Sequence, residues 1–389
     1  MQETVRMGDR RPDSDQARAL PRRCSMQNEC QPVVSRDQAH GFVVPAGFAH
    51  GVAGRQVLAA GVIRRPSRCL SRAVTTESLD PDNAVRARAG GPPWVRTLRR
   101  KRAVASDGTG IAYEVVGTGE RTLMFANGLG GRLYSIEPVV EAFWREYRII
   151  TWDYRGLFES DVPSSLRRLA VAHHVEDAWT ILQAEKVERA VLIGWSMGVQ
   201  VMLDLAASHP GLAAGLVLLN GTYGHVFSTG FQPFFAVPSL PRRLHAIVEF
   251  LRARPGMAHT IAKITRLTEW PTTLLTFVTA GRRALELRPI LRRYYGDVLG
   301  PSFPNYLRLF QELDAHSAYH LLPEIPAPTL VVSGAFDFLT PAYQSRQIAA
   351  RMPDAEHLHL ARASHFALHE RRDDVLRSMR AFLDRRARW

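Results

Sequence analysis

The sequence predicts an α/β fold in which a mostly parallel sheet is covered by helices on both faces and carries an inserted helical cap. From about residue 100 onward, short apolar runs alternate with segments of helical period, the pattern of a sheet that is buried on both faces. Between residues 221 and 322 the alternation stops, and helical patterns broken by prolines follow one another. We therefore predict a main domain at 95–220 and 323–389, interrupted by a cap at 221–322.

Each predicted strand is a short apolar run that stops at a turn signal. The first two form a hairpin around Asp107-Gly108-Thr109-Gly110, because glycines favour such turns. The predicted strands are 102–106, 111–116, 122–126, 147–152, the run that ends before Gly194, 215–219, 329–333 and 356–360. The predicted helices of the main domain are 136–144, 170–184, 197–208 and 373–383.

Residues 1–94 form a basic N-terminal extension that prolines interrupt repeatedly, and we predict that it is disordered. Its most apolar stretch, 41–63, is too interrupted for a membrane span and begins too late for a secretory signal. It also lacks the aromatic and helical patterns of a nucleic-acid-binding segment. The remainder of the chain has no cysteine, so we expect no dependence on disulfides and a cytoplasmic protein. The cysteines are Cys24, Cys30 and Cys69.

The pentapeptide Gly194-Trp195-Ser196-Met197-Gly198 joins an apolar strand to an amphipathic helix. This G-x-S-x-G arrangement is typical of a sharp strand-to-helix turn that exposes a nucleophilic serine, with glycines where a Cβ would clash. The following helix would point its N-terminus at the serine and favour negative charge there. The same small residues also occur in tightly packed helices, so the pentapeptide needs support from the rest of the chain.

That support comes from the order of the motifs. With Asn127-Gly128-Leu129-Gly130 upstream and the segments around Asp337 and His365 downstream, the chain resembles the α/β-hydrolase superfamily from about residue 101 to 383. The resemblance implies the α/β-hydrolase fold and a serine hydrolase with a helical cap. It implies Ser196 as nucleophile, Asp337 as acid and His365 as base, in the chain order of this fold. It also implies an oxyanion hole built from the backbone N–H groups of Leu129 and Met197.

Asp337 has an alternative interpretation as a turn or cap residue before Thr340. We favour the catalytic role because the other acid position of related enzymes, after the strand that ends at Leu219, holds Asn220, which carries no charge.

Several histidines compete with His365 or suggest a metal. We expect His369 to be solvated or to cap the last helix, and we place His357 and His359 within a strand. The pair His173 and His174 has no third spaced ligand, so we predict neither a metal nor a cofactor.

The chain departs from the family pattern at two positions. Asn127 stands where a histidine is common, and we expect its amide still to hydrogen-bond the turn. Phe158 replaces a usual glycine in the segment that begins with Asp153 without removing a catalytic group. We expect Asp153 and Arg155 in that segment to hold loops together.

The predicted reaction is hydrolysis of an ester or related carbonyl substrate through a covalent acyl-enzyme, as in a carboxylesterase. A C–C bond hydrolase, a perhydrolase or an acyltransferase could use the same triad, and a low-turnover ligand-binding sensor could keep the same fold. A dehalogenase is excluded because position 196 would need a carboxylate nucleophile.

The predicted cap is basic, with 12 Lys and Arg against 6 Asp and Glu in residues 221–322. A small-molecule substrate that carries a carboxylate would be attracted to it. The alternative is that the adjacent arginine pairs direct their charges into solvent, because neighbouring helical residues point about 100° apart. The sequence leaves both the charge of the substrate and the oligomeric state open.

Overall fold

The computed structural model describes residues 91–230, 239–267 and 284–389. Most of the predicted N-terminal extension and two parts of the predicted cap, 231–238 and 268–283, lie outside these described residues. Within them, eight strands form one sheet in the order β1-β2-β4-β3-β5-β6-β7-β8. The strands are β1 Arg99–Val104, β2 Gly110–Val116, β3 Arg121–Ala126, β4 Tyr147–Trp152, β5 Ala190–Trp195, β6 Ala213–Leu219, β7 Thr329–Gly334 and β8 Ala355–Leu360.

The sheet is mostly parallel, which confirms the predicted fold class. Only β1 with β2 and β2 with β4 pair antiparallel, and every pair from β4 to β8 is parallel. The central strands β5 and β6 are buried along their whole length, as expected for strands covered on both faces. Because the parallel strands share one direction, their carboxyl ends meet at one edge of the sheet, where loops from distant parts of the chain converge.

Helices cover both faces of the sheet. On β3, Met124 belongs to the apolar cluster beneath one set of helices, while Leu123 and Phe125 belong to the cluster on the opposite face, as the two-residue period of a strand requires. The helices of the body are α1 Glu137–Phe143, α2 Val171–Ala184, α3 Met197–Ser208, α9 Ala342–Arg351, α10 Ala367–Glu370 and α11 Arg372–Arg385. The sequence analysis did not predict α9 or α10.

The insertion, residues 221–322, connects β6 to β7. Its described helices are α4 Val226–Thr229, α5 Leu240–Arg252, α6 Pro255–Leu267, α7 Ala284–Val298 and α8 Phe303–Ala315. At its base, an antiparallel bridge between Gly224 and Ser317 joins the entering and leaving chain. In the part of the chain that the structure describes, no helix combines the length and apolar character needed to cross a bilayer.

The predicted boundary at residue 95 falls within a described structural element. A 3₁₀ helix, Pro93–Thr97, precedes β1, and Trp94 within it is only 8% exposed. Trp94 packs in the same apolar cluster as Val95 and Leu98. Because buried aromatic side chains contribute strongly to core packing, Trp94 belongs to the core.

Arg155 joins its own loop to the β1–β2 turn and to helix α2, in agreement with its expected structural role. Its guanidinium is fully buried; Nε donates to Asp177 on α2 at 2.8 Å, and one terminal nitrogen donates to Asp107 in the β1–β2 turn at 3.0 Å. Two carboxylates thus compensate one buried cation, which would otherwise cost several kcal/mol. Asp153 makes a related contact, since Arg132 donates to its carboxylate at 3.2 Å.

Candidate active site

Ser196 lies at the tip of the turn between β5 and α3, with φ 55° and ψ −116°. A non-glycine residue with positive φ is strained. The glycines on either side allow the backbone to pack closely around this strained residue. A Cβ on Gly194 would lie 2.5 Å from the carbonyl oxygen of Gly198, and one on Gly198 would lie 2.1 Å from that of Ala126. The two glycines therefore allow the close packing that sets the serine at the carboxyl edge of the sheet.

The structure brings Ser196, His365 and Asp337 together, although they follow three different strands. Nε2 of His365 lies 2.9 Å from Oγ of Ser196, and Nδ1 lies 3.0 Å from Oδ2 of Asp337. A carboxylate only accepts, so Nδ1 carries the proton and Nε2 is free to accept from the serine hydroxyl. The side chain of Asp337 is 0% exposed and that of His365 is 5% exposed, which shields both contacts from water.

The carboxylate of Asp337 is held by its own loop and by the neighbouring strand. Oδ1 accepts from the backbone N–H groups of Leu339 at 3.1 Å and Thr340 at 2.8 Å. Oδ2 accepts from the side-chain amide of Asn220 at 2.9 Å and lies 2.8 Å from the Thr340 hydroxyl. The contacts of Asn220 and Thr340 with Asp337 were not predicted from the sequence. The position of Asn220 at the end of β6 was the only available signal.

The loop that carries His365 has its own supports. The backbone N–H of Ser364 donates to Glu370 on α10, and the Ser364 hydroxyl donates to the same carboxylate at 2.8 Å. The indole of Trp195, next to Ser196, donates to the carbonyl of His365 at 3.2 Å. The strand-to-helix turn that carries Ser196, called the elbow below, is thus directly joined to the loop that carries His365.

Asn127 organises the loop that precedes α1, as expected for its amide. Nδ2 of Asn127 donates to the Thr151 hydroxyl at 2.8 Å, and Oδ1 accepts from Ser135 at 2.9 Å. The hydroxyl of Tyr154 donates to the Asn127 carbonyl at 2.5 Å. The backbone of the Gly128–Leu129 turn is therefore fixed beside the elbow without the histidine that is common there.

Helices of the insertion contact the same loop. The hydroxyl of Tyr294 on α7 donates to the carbonyl of Leu129, and the ring of Tyr294 lies 6.0 Å from that of Trp195. On α8, Tyr306 is 4% exposed and packs against Gly130, where a Cβ would lie 2.6 Å from the tyrosine oxygen. Burial raises the pKa of both tyrosines, so both hydroxyls keep their protons at neutral pH.

Phe158 has φ 51°, the left-handed conformation that the usual glycine adopts without strain. Its ring lies beneath the guanidinium of Arg132, 4.6 Å from the centroid, and 6.4 Å from the ring of Tyr306. The substitution thus adds an aromatic contact between the body and the insertion and keeps the glycine-type turn.

The other histidines have structural surroundings. His369 is half-buried, its Nε2 donates to the Ser135 carbonyl at 2.9 Å, and burial lowers its pKa. The expectation of a solvated or capping residue is wrong, because this hydrogen bond joins α10 to the 3₁₀ turn that precedes α1. His357 and His359 lie on β8 and both contact the hydroxyl of Ser333.

His174 is fully buried beside the ring of Tyr154, whereas its neighbour His173 contacts Glu176 at 3.2 Å. In the described ranges, no three His, Cys, Asp or Glu side chains converge as a metal site would require.

Comparisons with known proteins agree with this arrangement. The family model for the α/β-hydrolase fold matches residues 121–372. A putative carbamate hydrolase, RutD, from Yersinia enterocolitica is 25% identical over 258 residues, which cover 65% of this chain and 84% of the relative.

Among solved structures, the enol-lactonase from Burkholderia xenovorans has a TM-score of 0.60 at 22% identity, covering 73% of this chain and 99% of its own. The esterase from Exiguobacterium antarcticum has a TM-score of 0.59 at 18% identity, covering 73% and 98%. At these identities the two structures show a shared fold. The family model spans more than half of the chain, and the relatives are named hydrolases. The chain therefore belongs to the α/β-hydrolase family and is a hydrolase.

Proposed function

We propose that the protein is a serine hydrolase that cleaves an ester or related carbonyl substrate through a covalent acyl-enzyme. The observation that carries this proposal is the continuous contact from Ser196 through His365 to Asp337, with distances of 2.9 Å and 3.0 Å. Both distances lie within the range in which a base can take a proton and an acid can orient the base. The strained backbone of Ser196 adds support, because such strain concentrates at functional sites.

In the proposed reaction, Nε2 of His365 takes the hydroxyl proton while Oγ of Ser196 attacks the carbonyl carbon. Asp337 stabilises the imidazolium that forms and does not itself take the proton. His365 then gives its proton to the leaving alcohol or amine as the bond to the acyl carbon breaks. Water, activated by the same histidine, cleaves the acyl-enzyme and regenerates Ser196.

We propose that the backbone N–H groups of Leu129 and Met197 stabilise the developing oxyanion. The N–H of Met197 is the first of α3, so it has no partner within the helix. Leu129 lies in the loop that Asn127 fixes beside the elbow. Two such donors would lower the barrier by about 3 kcal/mol each.

We propose that the insertion, residues 221–322, acts as a cap over the nucleophile, while 95–220 and 323–389 form the catalytic body. The contacts of Tyr294 with Leu129 and Trp195 support this role, because they put α7 beside the elbow. The extension before residue 95 would take no part in catalysis.

The proposed substrate is a small molecule with a reactive carbonyl. Carbamates and enol-lactones, which appear in the names of the two relatives, share that group. The arginine pair Arg242–Arg243 and the pair Arg292–Arg293 are exposed, which favours long-range attraction of an anionic substrate over a direct carboxylate clamp. Arg282 and Arg283 lie outside the described residues. The body contains no cysteine, which suits a reducing cytoplasm.

Labelling with a fluorophosphonate tests the proposal. We expect one covalent adduct on Ser196, no adduct in Ser196→Ala, and turnover of short p-nitrophenyl esters only by the protein that can be labelled. Adding an alcohol or hydrogen peroxide during turnover distinguishes the reactions by their products. Hydrolysis gives the free acid, acyl transfer gives a new ester, and perhydrolysis gives a peracid. A protein that binds esters without labelling or turnover would instead be a ligand-binding sensor.

A further inference from the structure

Asn220 occupies a position from which it contacts the proposed acid, Asp337, and the loop that carries the proposed base. It follows β6 directly and is 1% exposed. One amide hydrogen reaches Oδ2 of Asp337 at 2.9 Å, and the amide nitrogen also lies 3.0 Å from the carbonyl of Ser364, the residue before His365. Both amide hydrogens are therefore used, one on the acid and one on the loop that carries the base.

The backbone of Asn220 is built to direct this amide. Its φ is 43°, in the left-handed region that asparagine tolerates better than most side chains. Its N–H donates to Val332 on β7 at 2.9 Å, and its carbonyl lies 2.8 Å from the Thr340 hydroxyl. These backbone contacts hold Asn220 at the junction of β6 and β7 independently of its side chain.

Among the described residues, the side chains within hydrogen-bond distance of Oδ2 besides His365 are the Asn220 amide and the Thr340 hydroxyl. The Thr340 hydroxyl lies 2.8 Å from Oδ2 and 2.8 Å from the Asn220 carbonyl, but it has a single hydrogen and can donate to only one of them. When it donates to the carbonyl, the donors that remain on Oδ2 are the amide of Asn220 and Nδ1 of His365. Oδ1 is held by two backbone N–H groups, and Nδ1 of His365 lies 3.1 Å from Oδ1 and 3.0 Å from Oδ2. The amide on Oδ2 and the N–H groups on Oδ1 thus fix together how the carboxylate is turned.

We propose that Asn220 is a positioning residue. Its amide orients the Asp337 carboxylate toward His365 and joins that carboxylate to the loop that carries His365. The proposal rests on the proposed function for its catalytic meaning, but the positioning itself is a property of the resting protein. It can therefore be tested with and without turnover.

The test without turnover uses the proton between Nδ1 of His365 and Asp337, observed by proton NMR. A strong hydrogen bond to a carboxylate gives a far-downfield resonance, which His365→Ala should abolish and thereby assign. We expect Asn220→Ala to move this resonance upfield or to broaden it by exchange with water. A wild-type resonance that stays unchanged in Asn220→Ala would overturn the proposal, and so would its absence from the wild type.

The test with turnover measures kcat and KM of the variant separately. Loss of a hydrogen bond to a charged group corresponds to about 10- to 100-fold, so Asn220→Ala should lower kcat by that factor with KM within about twofold. A role in folding alone would lower thermal stability and leave kcat per folded molecule unchanged, which would contradict the proposal.

Asn220→Asp supplies a second variant of nearly the same shape. The ionisable groups near it in the described residues are Asp337, His365 and Glu370 on α10. Two carboxylates so close share a proton at low pH, and the additional negative charge at higher pH stabilises the protonated imidazole. The acidic limb of the pH profile of kcat/KM should move up by about one unit.

Asn305→Asp is the matched control. Asn305 also donates its amide to a carbonyl, that of Gly156 at 2.8 Å, but it lies on α8 away from Asp337. We expect this variant to keep the wild-type pH profile and NMR resonance. The same profile shift in both aspartate variants would assign the effect to net charge and overturn the proposal. Failure of fluorophosphonate labelling at Ser196 would refute the proposed function alone and leave the NMR result valid.

Discussion

The hydroxyl of Tyr294 donates to the backbone carbonyl of Leu129, so a side chain of the insertion holds the peptide that directly follows the proposed oxyanion donor, the N–H of Leu129. The donor comes from α7 and the acceptor from the loop after β3, 165 residues apart in sequence. This hydrogen bond therefore joins the insertion to the loop after β3.

Tyr294→Phe should therefore lower kcat. The ring and its packing on Trp195 remain, and only the hydrogen bond to Leu129 is lost, so we expect about a tenfold decrease with little change in KM. A directly bonding donor of an oxyanion hole is worth more, about 10²- to 10³-fold. Steady-state kinetics on a p-nitrophenyl ester measures the effect. Tyr343→Phe, which loses a hydroxyl contact with the Thr229 carbonyl at 3.2 Å, is the control and should keep wild-type kcat.

Substitutions in the proposed triad should show unequal and non-additive losses. Ser196→Ala and His365→Ala should each abolish turnover, and the double variant should be no worse than either, because the residues act as one unit. Asp337→Asn should be less damaging than either single variant, since the acid orients and stabilises the histidine. Single-turnover rates on an activated ester rank the variants. Wild-type activity in Asp337→Asn would show that another group supplies the acid.

The sequence was sufficient where local patterns carry the information. Apolar strands and the glycines at 194 and 198 follow from periodicity and from steric requirements, and the order of motifs indicated that Ser196, Asp337 and His365 would meet. Asn220 was recognised only as an uncharged residue, because its contact with Asp337 spans 117 positions and has no local pattern. The partner of His369 was missed for the same reason, since it lies 234 residues away.

Buried His174 should make the protein sensitive to acid. It is 0% exposed and its Nε2 donates to the Leu169 carbonyl, and burial, aided by the nearby charge of Arg155, lowers its pKa from 6.5 to about 3. The unfolded chain therefore binds a proton below pH 6.5 that the folded protein does not bind until about pH 3, so stability is lost as pH falls through this window. From pH 7 to 5 this one group costs about 2 kcal/mol.

His174→Gln cannot be protonated and should lose less free energy of unfolding than the wild type over that interval, as measured by denaturant unfolding at both pH values. His173→Gln is the adjacent control, because it keeps buried His174 and removes a histidine that is only partly buried. We expect it to retain the loss of stability that buried His174 causes. An equal pH dependence in the His174 variant and the wild type would show that His174 is not buried in its neutral form.

Two truncations that differ by four residues test where the body begins. Removal of residues 1–90 should leave the Tm and activity nearly unchanged. Removal of 1–94 also deletes Trp94, and loss of a buried aromatic side chain costs about 3 kcal/mol, or roughly 6 °C in Tm for a protein of this size. Trp94→Ala in the full chain should reproduce that decrease. Equal melting temperatures for the two truncations would show that Trp94 does not contribute to the stability of the body and would support a boundary at residue 95.

The charge of the insertion predicts how rates depend on salt. Residues 221–322 carry 12 basic against 6 acidic side chains, and the described arginine pairs are exposed, with the guanidinium of Arg293 stacked on Tyr134 at 4.0 Å. Exposed cations attract an anionic substrate over a distance but do not dehydrate it, so they should raise its association rate and leave its bound state little changed.

We therefore expect kcat/KM for an ester with a distal carboxylate to exceed that of its neutral isostere by roughly 3- to 10-fold at low salt. The ratio should approach one as salt rises from about 50 to 500 mM, because the screening length falls from more than 10 Å to less than 5 Å. The double substitution Arg242→Gln and Arg243→Gln should reduce the low-salt ratio and leave the neutral ester unaffected. A preference that persists at 500 mM would instead require a buried cation in direct contact with the carboxylate, and equal rates at 50 mM would leave the insertion as an apolar cover without electrostatic selectivity.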